Sequence, residues 1–309
     1  MARTRKGRRI DGWVIVDKPA GMGSTDVVNR VRRAFQAQKA GHSGTLDPDA
    51  TGLLAVALGD ATKVIPYVMD ALKAYDFTVR WGAATTTDDA SGAVLATSDL
   101  RPDDAAIKAA IPAYLGEIMQ VPPAFSAVRV AGARAYDLAR EGETVELQPR
   151  PLWVEELLLT DRPDPDHARF EMTCGKGGYV RAIARDMGRD LGCLGHVTGL
   201  RRLWSGPFTL EQAVTMDQIE SLAQGDGIDR LLLPLEAGLA DLPEVRIGAT
   251  ELRRLKNGNA VAGVPQEPLD YGEECWASAG GHAVALGHWQ GGQFQPARVL
   301  ERAPKAPAP

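Results

Sequence analysis

The chain has 309 residues and a formal net charge of −5, with 44% hydrophobic and 24% charged residues. These proportions exclude a disordered chain, and no apolar run reaches the roughly 18 to 20 residues of a membrane-spanning helix. The charge is uneven: residues 1–9 hold five basic residues and no acid, while residues 10–240 carry −9, which excludes a generally basic nucleic-acid binder and leaves a local basic groove plus the N-terminal arm as the route to RNA.

The length suits a large core and two domains. After the arm, Trp13-Val-Ile-Val16 predicts a strand that ends in a turn-rich stretch, Asp17 to Gly23. Ser24 is the expected N-cap of a helix whose apolar side is Val27, Val28, Val31 and Phe35. Gly21-Met-Gly-Ser-Thr25 lacks the lysine of a phosphate-binding loop, so no nucleotide site is expected there.

The segment Ala40 to Gly59 is the most unusual in the chain. Gly41, Gly44, Pro48 and Gly52 lie too close together for a helix or strand, so a shaped loop is expected up to Thr51, followed by a buried strand from Leu53 to Leu58. The loop presents Asp47, either as a turn-capping residue before Pro48 or as a functional acid on a rigid support.

Further along, Tyr75 to Trp81 alternates as a half-buried strand, and Pro102 to Leu115 predicts a helix. Two prolines, Pro122 and Pro123, open a Gly- and charge-rich excursion over about 122–151, expected to be a mobile flap with a short helical piece from Arg134 to Arg140. Strands are expected at Val154 to Thr160 and Arg169 to Thr173, then a glycine loop at Gly175 to Gly178. The next helix has Val180, Ile183, Ala184, Met187 and Leu191 as its core stripe. On its other face Arg185 and Arg189 read as a solvated stripe paired with Asp186 and Asp190, whereas Arg181 lies in the first turn beside the glycine loop. Residues Pro234 to Pro243 predict a linker to a small β-rich module with a helix near Thr250 to Leu255, a turn at Asn257-Gly258, and strands near Ala283 to Leu286 and Phe294 to Leu300. The tail 303–309 is expected to be disordered.

Cys174, Cys193 and Cys275 are far apart and form no CxxC pair, so neither a disulfide framework nor a zinc site is expected. The N-terminus lacks the apolar stretch of a secretory signal, which makes the cytoplasm the expected location.

Four segments, DKPAGMGSTDVV at 17–28, GHSGTLDPDATGLL at 41–54, QVPPAFSAVRVAGARAYDLAREG at 120–142 and CGKGGYVRAIARDMG at 174–188, closely resemble the bacterial tRNA pseudouridine-55 synthases of the TruB type in order and spacing. The resemblance implies an α+β pseudouridine synthase fold, a mixed and largely antiparallel central sheet over residues 10–238, followed by a PUA-like β-rich barrel over 241–302. It implies isomerisation of uridine 55 in the tRNA T-loop without cofactor or metal. Asp47 then matches the family's catalytic aspartate, Tyr75 the tyrosine that stacks on the target base, and Arg181 the arginine that pairs with the aspartate. His42 matches the histidine associated with flipping the nucleotide, Tyr179 the tyrosine beside the arginine, and Leu200 an apolar wall of the pocket. Lys18, in the first matching segment, is placed among the substrate-binding groups. The implied partner is tRNA, gripped at the T-loop and acceptor stem by a monomer away from any membrane. Ser43, Phe125 and Arg129 depart from the family's usual Thr, Tyr and Lys without removing a catalytic group.

The chemistry asks for these residue types. A carboxylate attacking uracil C6 or ribose C1′ must stay ionised in a closed pocket, and burial opposes this unless a cation lies close by. Target atoms in a folded T-loop are out of reach until the nucleotide is extruded, at about a few kcal/mol. Two other readings remain. Asp47-Pro-Asp49-Ala-Thr51 fits the DxDxT of magnesium-dependent phosphotransferases, although that motif follows a strand and this one precedes it. A non-catalytic tRNA binder or folding chaperone is the other.

Overall fold

The computed structural model describes residues 7–126, 128–130, 133–134, 147–225 and 227–301. The chain divides into two compact units, the first of Met1–Pro48, Leu53–Met69 and Ser205–Pro309, the second of Asp49–Gly52 and Asp70–Trp204.

In the first unit, β1 (Gly12–Lys18) and β2 (Ala40–His42) flank β3 (Thr51–Leu58). The unbroken apolar run of β3 has a physical cause: successive side chains enter different cores. Leu53, Ala55 and Ala57 pack with Trp13, Ile15 and Phe208, while Leu54, Val56 and Leu58 pack with Val14, Val16 and the Val27, Val31 and Phe35 side of the Ser24–Ala34 helix. Ser24 is that helix's first residue rather than its N-cap; Gly23 takes the cap position without a side-chain bond, and the serine hydroxyl is used elsewhere. A six-residue helix, Ile65–Asp70, follows with Val68 buried.

The second unit holds β4 (Lys73–Trp81), a β5 (Ala83–Thr85) and β6 (Val94–Thr97) hairpin, β7 (Gly116–Gln120), a short β8 (Arg129–Val130) and β9 (Ala133–Arg134) pair, β10 (Arg150–Asp164), β11 (His167–Cys174) and β12 (Gly195–Ser205). Its main sheet runs β12-β4-β11-β10-β7, with antiparallel pairs from β4 through β7. The Val180–Asp190 helix buries Val180, Ile183, Ala184 and Met187 of the expected stripe, while Leu191, its fifth member, is the half-buried C-cap. The helix expected over 102–115 is shorter, Asp104–Ala110. Asp103 caps it by accepting a hydrogen bond from the Ala106 N–H, and Pro112 enforces a 3-10 turn after it. Of the 122–151 excursion, residues 127, 131–132 and 135–146 lie outside the described residues, and with them the flap and Arg140; Arg134, the expected start of a helical piece, ends β9.

Back in the first unit, β13 (Phe208–Thr209) precedes a Met216–Leu222 helix closed by a capping box between Thr215 and Gln218. The expected linker from Pro234 to Pro243 is instead a buried 3-10 turn, Leu235–Leu239. The Trp13 indole N–H donates to the Leu235 carbonyl at 3.1 Å, and a Cβ at Gly238 would stand 2.6 Å from the indole, so this glycine lets the chain lie directly on the ring.

The last module contains β14 (Glu244–Arg246), β15 (Val264–Pro265), β16 (Glu274–Ala279), β17 (His282–Gln290) and β18 (Gln293–Val299) in the order β15-β14-β16-β17-β18. In place of the expected closed barrel, the described residues form an open five-stranded order, with an isolated antiparallel bridge between Val261 and Phe294 of β18. Val245, Leu255, Ala277, Ala285 and Phe294 form its own core, while Ala283, Leu286 and Leu300 join the core of Trp13. The basic arm is partly engaged within this unit, because Arg8 pairs with Asp229 and Arg9 with Glu301; residues 1–6 lie outside the described part. The three cysteines are buried and free. No described helix is long and apolar enough to cross a membrane.

Candidate active site

Asp47 is half-buried in a loop that is held on both sides of it. Before it, the Ser24 hydroxyl donates to the Leu46 carbonyl at 2.9 Å and accepts from the Leu46 N–H at 2.8 Å. After it, the Lys18 ammonium donates to the Pro48 carbonyl at 2.7 Å and to the carbonyls of Met22 and Pro19 at 2.6 and 2.9 Å. The peptide on each flank of Asp47 is thus tied to the β1–helix connection, which removes most of the freedom a glycine- and proline-rich loop would otherwise have. Lys18, expected to contact substrate, is instead fully buried and bonds these three carbonyls, so it braces the loop. Lys18→Met should therefore lower the unfolding free energy by at least about 3 kcal/mol, since each carbonyl left unpaired costs about 1–3 kcal/mol. Urea denaturation of the two proteins measures this, and equal midpoints would contradict the bracing role.

His42 ends β2, opposite Val56 of β3. Its Nδ1 accepts the Gly44 N–H at 3.2 Å, which leaves the proton of the neutral ring on Nε2. Gly44 has φ +135, a conformation open to glycine alone among ordinary residues. The strand that anchors the loop begins earlier than expected: Thr51 and Gly52, the first residues of β3, pair in parallel with Arg201 and Arg202 of β12, and the Thr51 hydroxyl donates to the Leu200 carbonyl at 3.4 Å.

In the second unit Tyr75 lies on β4 opposite Met172, only 8% exposed, and Leu200 is half-buried on β12. Tyr75 shares its face of β4 with Lys73 and Phe77. Burial, then the neighbouring charge of Arg202, pushes the Lys73 ammonium down from 10.5 to about 8. Below that value the lysine is charged in both folded and unfolded chains and its burial costs stability in full. As pH rises from about 8 towards 10.5 the folded state sheds the proton first and the cost lifts. Compared with Lys73→Met, the wild type should gain stability across this window in urea titrations, and parallel pH dependence would contradict the shift.

Arg181, in the first turn of the Val180–Asp190 helix, is 5% exposed. Its Nη1 donates to the Thr87 carbonyl at 2.8 Å and its Nη2 to the Phe125 carbonyl at 2.9 Å, and the Asp89 carboxylate stands 3.6 Å away. Asp89 is itself fixed by the Thr87 hydroxyl and by the N–H and hydroxyl of Ser91. Sequence reasoning missed Asp89. Its signal was the turn-forming Asp88-Asp89-Ala-Ser-Gly92 segment, whose acids had no local cation. Arg185, expected in a solvated stripe, is largely buried: it bonds Asp186 as expected, but also Asp88 at 2.9 Å and the Val121 carbonyl at 2.8 Å. Burial raises the Asp88 carboxyl above its usual range although Arg185 bonds it. Arg189 is exposed and pairs with Asp186, while Asp190 takes the Tyr114 hydroxyl instead of an arginine.

The expected site residues therefore fall into two sets. Lys18, His42 and Asp47 belong to the first unit and are arranged around one loop; Tyr75, Tyr179, Arg181 and Leu200 belong to the second. Within each set the backbone and side-chain bonds described above hold the named residues in place, as a preorganised site requires.

Residues 32–180 match the TruB family pseudouridylate synthase (N terminal domain), and residues 181–240 match the tRNA pseudouridylate synthase B C-terminal domain. A protein of Ruegeria pomeroyi named tRNA pseudouridine synthase B is 63% identical over 98% of this chain and 99% of its own length. The chain belongs to the TruB family. The TruB proteins of Paracoccus denitrificans and Agrobacterium fabrum, bearing the same name, are 63% and 48% identical and cover 97% and 96% of the chain, with 99% and 97% of their own lengths matched. Among solved structures, the archaeal box H/ACA sRNP Nop10-Cbf5 complex contains a chain with TM-score 0.72 and 24% identity, covering 93% of this chain and 85% of that one. A Cbf5-Nop10-Gar1 complex gives TM-score 0.73 at 25% identity, with 94% and 84% covered. The TruB α+β fold expected from the four sequence segments is the one observed.

Proposed function

We infer that this TruB protein isomerises uridine in tRNA to pseudouridine, at position 55 of the T-loop. The observation that carries this reading is the 63% identity, over 98% of the chain, to a protein named for that reaction. The braced loop around Asp47 supports it. The reaction breaks the N1–C1′ glycosidic bond, turns the freed uracil and joins C5 to C1′, with the C5 proton passing to solvent and N1 taking up a proton. Asp47 acts as the ionised nucleophile, at uracil C6 or ribose C1′. Tyr75 offers its ring as a platform for the flipped base, and Arg181 supplies the counter-charge that keeps a carboxylate ionised out of water. His42 fills the space the extruded nucleotide vacates, and Tyr179 and Leu200 wall the pocket. Residues 10–238 form the catalytic part, and the PUA-like module over 241–302 holds the acceptor stem of a folded tRNA recognised mainly by shape. The enzyme works as a monomer in the cytoplasm and needs no cofactor or metal.

Incubating a T-arm stem–loop transcript with the protein in EDTA, then mapping the modified nucleotide, tests this directly. Pseudouridine at position 55 is expected. Activity lost in EDTA and restored only by magnesium favours the phosphotransferase reading, and binding without modification favours the tRNA binder.

A further inference from the structure

Gln120 is 4% exposed and is the last residue of β7, immediately before Val121-Pro122-Pro123. Its backbone pairs with Arg150, so it stands where the 122–151 excursion leaves the sheet and where it returns. Its side chain turns to another part of the unit. The Oε1 atom accepts the Tyr179 N–H at 2.9 Å, and Nε2 donates to the Tyr179 carbonyl at 3.1 Å. Only one orientation of the amide satisfies both bonds, and a primary amide sets an N–H donor beside a carbonyl acceptor, as needed to meet the C=O and N–H of one extended residue.

Tyr179 needs such a hold. It follows Gly175-Lys-Gly-Gly178, in which Gly177 has φ +84, and it occupies the N-cap position of the Val180–Asp190 helix in extended conformation, where no side-chain cap fixes it. Arg181 lies two residues further on. The next residues of the excursion are bound to the same helix: the Val121 carbonyl accepts from Arg185 Nη2 at 2.8 Å, and the Phe125 carbonyl accepts from Arg181 Nη2 at 2.9 Å. Three tethers within six residues thus join the root of the excursion to the Val180–Asp190 helix and its N-cap, two of them to Tyr179 and Arg181 themselves. Two depend on arginine charge; the third is the Gln120 amide, which takes the Tyr179 N–H and joins the Ala182 and Ile183 N–H groups on its carbonyl.

We propose that Gln120 is a positioning residue for the isomerisation, its amide setting the Tyr179–Arg181 turn in register with the root of the excursion. This rests on the reading of Tyr179 and Arg181 given above. A displacement of about 1 Å at reacting groups is enough to cost roughly a hundredfold in rate. Gln120→Met, of similar shape, should slow single-turnover pseudouridine formation about ten- to a hundredfold while tRNA affinity changes less than about threefold. Gln120→Glu carries a readout that loosened packing does not produce. As a carboxylate it has no proton to give and points charge at the Tyr179 carbonyl; as a carboxylic acid it again has one donor and one acceptor. The ratio of Gln120→Glu to wild-type rate should therefore rise as pH falls from 8.5 to 5.5, with the low-pH rate showing that the variant is folded. A ratio independent of pH, or a wild-type rate for Gln120→Met, would overturn the proposal. Asp47→Asn run alongside separates the two levels. If it is inactive while both Gln120 variants run at the wild-type rate, the Gln120 role alone falls; if it is fully active, the underlying site reading falls with it.

Discussion

Asp47→Asn is expected to lower the single-turnover rate of pseudouridine formation by roughly 10⁴-fold or more, with tRNA affinity within about threefold of wild type. The substitution keeps the shape of the side chain and removes only the ionised oxygen. Two fixed points of the loop, the Leu46 peptide on Ser24 and the Pro48 carbonyl on Lys18, do not involve the Asp47 carboxylate and stay in place in the variant. That separation gives the experiment its meaning: a loss of rate reports the chemistry of the carboxylate rather than collapse of the loop. Quantifying pseudouridine against time with enzyme in excess, together with a binding isotherm, measures both arms. A variant that binds and modifies at the wild-type rate would remove Asp47 from the reaction.

Arg181→Lys should lose about 10²- to 10³-fold in the same assay although the charge is kept. The guanidinium is held through Nη1 by Thr87 and through Nη2 by Phe125, with Asp89 at 3.6 Å, and these bonds fix its plane. An ammonium on a flexible stem cannot reach both carbonyls and the Asp89 side together, so charge is present but not aimed. The helix itself should survive, since its apolar stripe of Val180, Ile183, Ala184 and Met187 is untouched. Far-ultraviolet circular dichroism and the thermal midpoint check that point, and a wild-type rate would count against a role for guanidinium geometry.

What could be read from the chain beforehand followed the reach of each physical signal. The apolar run of β3, the alternation of β4 and the 3.6-residue stripe of the Val180–Asp190 helix are local patterns, and all appear where expected. β12 was invisible because Gly195, Gly199, Arg201 and Arg202 break any strand pattern, and Arg202 is nonetheless 1% exposed in the fold. β7 is five residues long and ends at two prolines, too short for periodicity to register. Leu235 and Leu239 looked like linker residues between prolines, since nothing nearby in sequence shows that the Trp13 indole needs covering.

The site divides in the same manner. Asp47, His42 and Arg181 stand in distinctive glycine-rich segments and could be singled out from residue types and family resemblance. The groups that hold them could not. Ser24 was read as a cap, Lys18 as a substrate contact, and Asp89 and Gln120 were passed over, because the partner of each is set by tertiary structure: Leu46 is 22 residues from Ser24, and Tyr179 is 59 residues from Gln120. Side-chain to backbone bonds across such separations leave no periodic trace in a sequence.

Tritium release from T-arm RNA labelled at C5 of uridine most directly tests the central claim that this chain moves a uracil from N1 to C5 linkage through Asp47. The account predicts that the wild-type protein, in EDTA, releases the label of one uridine per RNA, and that Asp47→Asn releases none on the same time scale. Release by the variant at the wild-type rate, or no release by the wild-type protein from RNA it binds, would contradict it.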